Sequence, residues 1–144
     1  NSIKMYSFEL KRRIDRSNYR EYFFQTVSNS SWANEGYLVA AYIQEDDDFL
    51  SELERLCNSF GIGIIKMNLE DIDASEVLFP AEHKHYLDWE LMNKLCEQNE
   101  DFEKFIDHVT KDFTVKTIHK DQYDKVIDEP DEYAKRLLQA DSKA

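Results

Sequence analysis

The stretch MYSFELKRRIDRSNYREYFFQTVSNSSWANEGY, residues 5–37, joins an apolar run ending in Glu9, Leu10 and Lys11 to an aromatic-rich run carrying Gln25. Residues 3–10 read as a strand, with Ile3, Met5, Ser7 and Glu9 on one face and Lys4, Tyr6, Phe8 and Leu10 on the other. Both faces carry apolar residues, as expected where helices cover a sheet on both sides. Glu9 and Lys11 leave such a strand on the same side, roughly 6–7 Å apart along it. A carboxylate and an ammonium placed together at a strand end can hold a divalent cation and steady a charged oxygen near it. The plainer alternative is a solvated ion pair worth under ~1 kcal/mol.

The charged run Lys11-Arg12-Arg13-Ile14-Asp15-Arg16 leads out of the strand. Ser17 or Asn18 then suits an N-cap, and Glu21, three residues after Asn18, completes a capping-box pattern. The following helix places Tyr19, Tyr22, Phe23, Thr26 and Val27 on an apolar face, with Asn18, Glu21, Gln25 and Ser28 on another side. Residues 28–36 read as a polar loop around Trp32. The nearly continuous apolar run GYLVAAYIQ, 36–44, predicts a central strand.

Acids at 46–48 mark a helix start, Phe49, Leu50, Leu53, Leu56, Cys57 and Phe60 recur at helical spacing, and Gly61 stops the helix. IGIIKMN, 62–68, is a third strand. This order predicts an α/β layer architecture, with a parallel pair formed by 36–44 and 62–68 through a right-handed crossover. Residues 69–80, ending in Pro80, read as a surface segment. Helices are expected from about His85 to Gln98, with Leu87, Leu91, Met92, Leu95 and Cys96 inward, and from about Glu100 to Phe113, with Phe102, Phe105, Ile106 and Val109 inward. VKTIHK suggests a short strand, DEPDEYAKRLLQ a final helix with Pro130 near its start, and 141–144 a frayed end. Two regions follow: an α/β domain over 1–113, with a helical extension from about 85, and a weakly structured acidic tail over 114–144.

No stretch approaches the ~20 apolar residues of a membrane span, so no membrane partner is expected. The N-terminus lacks the regions of a signal peptide. Cys57 and Cys96, with no C-x-x-C pairing, read as free thiols in a reducing cytoplasm. The chain opens inside an apparent core strand without a methionine, which suggests a processed chain or an excised domain. The net charge of −12 argues against a strongly basic nucleic-acid surface. Its distribution is uneven: residues 1–35 balance at +2 and the remainder at −14. A local basic patch can therefore still approach phosphate, in a salt-sensitive way. The glycines form no G-x-G-x-x-G or P-loop pattern, which lowers the case for a nucleotide cofactor.

Other motifs read more simply. His83 and His85, beside Glu82 and Asp88, lack a third well-spaced ligand and suit a polar run before a helix better than a metal site. Trp32, Tyr37 and the tyrosines of 19–22 have the spacing of packed residues more than of base-stacking platforms. Glu45 to Asp48 lacks the spacing of a calcium loop, and helix capping explains it. No Ser or Cys carries a nucleophile signature.

The order strand–Glu9-Leu10-Lys11–helix with Gln25–strand resembles the half-motif of the PD-(D/E)xK restriction-endonuclease-like superfamily. FELK (8–11), REYFFQTVSNSSWANEGYLVA (20–40), FGIGIIKMN (60–68), VLFPA (77–81), LDWELMNKL (87–95) and NEDFEKFI (99–106) resemble more specifically one bacterial group. Its members join an N-terminal winged-helix region to a restriction-endonuclease-like C-terminal domain. The resemblance implies a restriction-endonuclease-like mixed sheet flanked by helices, with added C-terminal helices and the N-terminal part of the fold missing from this chain. It implies Mg²⁺- or Mn²⁺-dependent hydrolysis of DNA phosphodiesters in bacterial restriction or DNA defence. Glu9 would be a metal ligand together with a carbonyl such as that of Leu10, Lys11 would orient water or stabilise developing charge, and Gln25 would help place Lys11 or the phosphate. A homodimer, or another domain of the same full-length protein, is the expected protein partner. One departure stands out: the superfamily places an Asp on the strand before the Glu, and residues 1–8 hold no acid. Glu21 and Glu35 are the available substitutes. The alternative is a catalytically inactive, nuclease-like interaction or assembly module.

Overall fold

A computed structural model describes residues 2–141, in two compact units, Asn1–Leu95 and Cys96–Ala144. The first is an α/β unit. Strand β1 (Tyr6–Ile14) leads through helix α1 (Tyr19–Ser30) to β2 (Glu35–Ile43), and helix α2 (Asp47–Phe60) leads to β3 (Gly63–Lys66). A short 3-10 turn at Ile72–Ala74 precedes β4 (Glu76–Phe79), and helix α3 (Trp89–Gln98) follows. The sheet is mixed, in the order β1-β2-β3-β4, with β1–β2 and β2–β3 parallel and β4 antiparallel to β3.

The local chemistry explains most element ends. Asp46 caps α2 by accepting the Phe49 N–H at 2.8 Å, and Gly61 ends it at φ +73°, donating its N–H to the Cys57 carbonyl. Asn18 precedes α1 as expected, but its side chain accepts from the Asp15 N–H instead of capping the helix, so no capping box forms with Glu21. Helix α1 also runs on to Ser30, into the expected loop. Gly36 has to be glycine because β2 passes directly beneath that helix end: a Cβ there would stand 2.2 Å from Ser30 Oγ.

Three expectations need correction. The strand does not end at Leu10 but continues through the charged run to Ile14, which is fully buried, while the Arg13 guanidinium lies 4.2 Å over the Tyr42 ring. The segment 69–80 is not a surface meander throughout, since 76–79 is an edge strand on β3. The helix expected from His85 starts only at Trp89.

The core lies on one face of the sheet. Leu38, Ala40 and Ile64 meet Phe23 of α1 and Phe49 and Leu53 of α2. The two helices lie side by side there, with Tyr19 edge-on to Phe49 at 5.3 Å and Phe23 against Phe60. Burial pushes the Cys57 thiol up to about 12, with Glu54 adding to it, so this cysteine is an inert core residue. The opposite face is not covered as the sequence suggests, because Tyr6, Phe8 and Leu10 of β1 are all exposed.

Buried Asn34 ties the unit together. Its Oδ1 accepts the Met5 N–H at 2.7 Å, its Nδ2 donates to the Lys84 carbonyl at 2.7 Å, and its backbone exchanges bonds with the same two residues.

In the second unit, helix α4 (Glu100–Val115) is capped by Asn99, which accepts the Phe102 N–H, and ends at Lys116 in the left-handed region. The run 115–120 forms no strand. The chain instead folds back through a 3-10 turn at Lys120–Gln122. Asp112 clasps the return: its carboxylate meets His119 Nδ1 at 2.6 Å and accepts the His119 N–H at 3.0 Å and the Tyr123 hydroxyl at 2.8 Å. Helix α5 (Pro130–Asp141) begins at proline as expected, and the expected frayed end lies, from 142 onward, outside the described residues.

Two outcomes test this account. Asn34→Ala leaves the Met5 N–H and the Lys84 carbonyl without their partners and should cost about 2–3 kcal/mol in urea unfolding. The Asp112 clasp should depend on pH. The hydrogen bond to His119 holds the Asp112 carboxyl below its usual 3.8, and the same bond raises His119 above 6.5, with Asp121 adding to the rise. The lowered acid stabilises above 3.8 and loses that contribution as pH falls through its folded value. The raised histidine stabilises below 6.5 and loses it as pH climbs through its folded value. Amide protection factors over 116–124, measured against unstructured rates at the same pH, should therefore be greatest between those limits and fall on either side of them, and His119→Gln should remove the upper fall.

Candidate functional site

From Tyr6 to Arg12 the odd residues of β1 are half-buried on the α1 side and the even ones exposed on the other; the alternation breaks at exposed Arg13 and buried Ile14. The parallel register, with Glu9 beside Leu38 and Lys11 beside Ala40, sets Glu9 and Lys11 on the core side of the sheet at its open edge. They converge there. Lys11 Nζ lies 3.4 Å from Glu9 Oε1, and the two side chains are only 21% and 20% exposed. Helix α1 shelters the pair. Lys11 Nζ sits 4.5 Å from the Tyr22 ring centroid, and Asn29 Nδ2 donates to Glu9 Oε2 at 3.1 Å.

Gln25 lies three residues after Tyr22 and four before Asn29, on the helix stripe between the two contacts. It is exposed, and among the described residues no hydrogen bond joins it to Glu9 or Lys11. Asn29 is the contact that reading the sequence missed. Its signal was present, because Tyr22 and Asn29 are seven apart, two turns along one face, matching the two-residue step between Lys11 and Glu9. Leu10 lies between the pair with its side chain on the other face and 65% exposed.

The residues present do not fit a divalent cation. Glu9 is the sole carboxylate of the corner described here, and its two oxygens already meet Lys11 and Asn29. An ammonium thus already engages the carboxylate that a metal ion would need. Neither substitute acid serves: Glu35 pairs in register with Tyr6, three positions from Leu38, and faces His83 at 3.7 Å, while Glu21 is exposed. Among the described residues no group of three His, Cys, Asp or Glu is arranged to hold a metal, His83 and His85 included. Trp32 is buried and donates to the Asn29 carbonyl at 2.8 Å, and Tyr37 stacks on Phe8 at 5.8 Å. Both are packing residues here.

The face behind this corner is chemically distinct. A shallow depression opens along β1 and β2, lined by Leu10 to Arg12, Val39, Ala41, Met67 and Leu69. Phe8 and Tyr6 continue that surface along β1, 54% and 46% exposed. No helix among the described residues is long and apolar enough to cross a membrane. Compared with family models, with curated proteins and with solved structures, the chain gives no match in any of the three.

The Glu9–Lys11 contact should contribute modestly. A partly sheltered pair of this kind is worth at most about 1 kcal/mol, so Glu9→Gln, which keeps an acceptor for Asn29, should lower urea stability by no more than that. A loss several times larger would mean that the pair is a structural keystone of the sheet edge.

Proposed function

We propose that this chain is a non-cutting α/β assembly module, nuclease-like in its strand–helix–strand order, that works through the exposed side of β1. One observation carries the reading: Tyr6, Phe8 and Leu10 stand in a row on an edge strand with no covering element among the described residues of the first unit. Long apolar edge strands invite pairing with another chain, and large uncovered apolar rows commonly mark interaction sites. The chemistry of the Glu9 corner supports the same reading, since a single carboxylate already engaged by an ammonium and an amide is a poor cation ligand.

The convergence of Glu9 and Lys11 in one sheltered corner favours a second reading, a Mg²⁺- or Mn²⁺-dependent DNA endonuclease-like domain of a bacterial restriction or defence protein. That reading requires a further carboxylate beyond the described residues. The discriminating experiment incubates the chain and its Glu9→Gln variant with DNA and Mg²⁺ or Mn²⁺. The expected result is no metal-dependent cleavage by either protein. Cleavage by the parent chain that disappears in the variant would establish the second reading and end the first.

A further inference from the structure

The free edge of β1 has a sequence complementary to itself. We propose that the partner at this edge is a second copy of this chain, the two β1 edges pairing antiparallel about a two-fold axis through Leu10 to give one continuous sheet with a shared apolar face. This inference rests on the assembly reading above and names the partner.

Strand β1 is nine residues long, lacks proline, and stands at the end of the sheet order with its outer edge unpaired among the described residues. Charged side chains on an edge ordinarily obstruct such pairing. Here they select one register. In a two-fold antiparallel pair each residue faces the one equally far beyond the axis, and like charges directly opposite are destabilising. With the axis at Leu10, Glu9 faces the partner's Lys11 and Lys11 faces the partner's Glu9. Phe8 then faces the partner's Arg12 and Ser7 faces the partner's Arg13, while buried Ile14 stays in its own core. Every cation of β1 meets a carboxylate, an aromatic ring or a hydroxyl.

The neighbouring registers are poorer. An axis at Glu9 sets two carboxylates against each other, an axis at Lys11 sets two ammonium groups together, and an axis at Phe8 pairs only Tyr6–Leu10 and leaves Lys11, Arg12 and Arg13 with no strand residue opposite. An axis between residues sets side chains that face α1 against side chains that face away, which the pleat forbids. In the Leu10 register the apolar row of each copy is extended by the other, so Leu10, the most exposed of the three, lies at the centre. The paired Glu9 and Lys11 keep their places under α1 and gain a second opposite charge across the axis.

The test is sedimentation of the 144-residue chain over a range of concentrations, with circular dichroism to confirm folding of each variant. The parent should approach twice its 17.2 kDa mass in a concentration-dependent manner. Leu10→Lys, which sets two cations across the axis, should remain monomeric. Glu9→Lys and Lys11→Glu should each weaken the dimer about ten-fold or more, since each reverses the sign of two cross-strand pairs worth up to ~1 kcal/mol apiece. Mixing these two variants should restore association, because the first then offers only lysines and the second only glutamates at 9 and 11. That recovery cannot come from the pair within one chain, which stays broken in both. A parent that is monomeric throughout, a dimer unaffected by Leu10→Lys, or no recovery on mixing would each overturn the inference. A monomer would leave the assembly reading standing with a different partner, whereas cleavage lost in Glu9→Gln would sink that reading whatever the mass.

Discussion

The register of β1 on β2 governs everything else in the first unit, and Asn34 pins it. By accepting the Met5 N–H and returning its own N–H to the Met5 carbonyl, Asn34 fixes where the first strand begins beside the second. A slip of one residue would turn every side chain of β1 to the other face. Glu9 and Lys11 would leave the shelter of α1, and Tyr6, Phe8 and Leu10 would be driven toward the core. The second amide bond, to the Lys84 carbonyl, anchors the segment before α3 to the same point. One buried side chain thereby sets which face is core and which is available to a partner.

Given that register, the corner at Glu9 is electrostatically closed. A carboxylate that has lost much of its water needs compensation, and Lys11 and Asn29 supply it between them, with Tyr22 beneath the ammonium. The same arrangement that makes the pair resemble a catalytic half-site also satisfies it. Capture of a divalent ion would have to displace an existing partner, and among the described residues no group of three acids, histidines or cysteines is arranged to offset that loss.

What was legible in the sequence followed from periodicity and caps. The central position of β2 showed in its unbroken apolar run, and α2 in Asp46 and Gly61, because these signals are local. The extension of β1 through Arg12 and Arg13 was not local. Three consecutive cations look like a linker until β2 supplies a ladder, Tyr42 a ring for Arg13, and the core a place for Ile14. β4 escaped notice for a similar reason: EVLF sits beside Pro80, and it is a strand because the far edge of β3 is open to it. At the site, Glu9 and Lys11 sharing a side followed from the two-residue period alone. Asn29 needed that period set against the helical one, and Gln25, placed on the right stripe, proved to be a neighbour without a bond.

The E-x-K spacing carries a property separate from catalysis. A two-fold axis through the middle residue of such a triplet exchanges its ends, so the acid of one copy falls on the base of the other. An acidic triplet or a basic one would repel itself under the same operation. This symmetry matters only where the strand is an edge and the middle residue points away from its own core, which is how Leu10 lies. Residues 36–144 carry −14, so two copies approaching at random repel each other. Residues 1–35, at +2, are the part of the chain that escapes this repulsion. Within the first unit the charge distribution thus favours β1 as the edge on which a second acidic chain can be met.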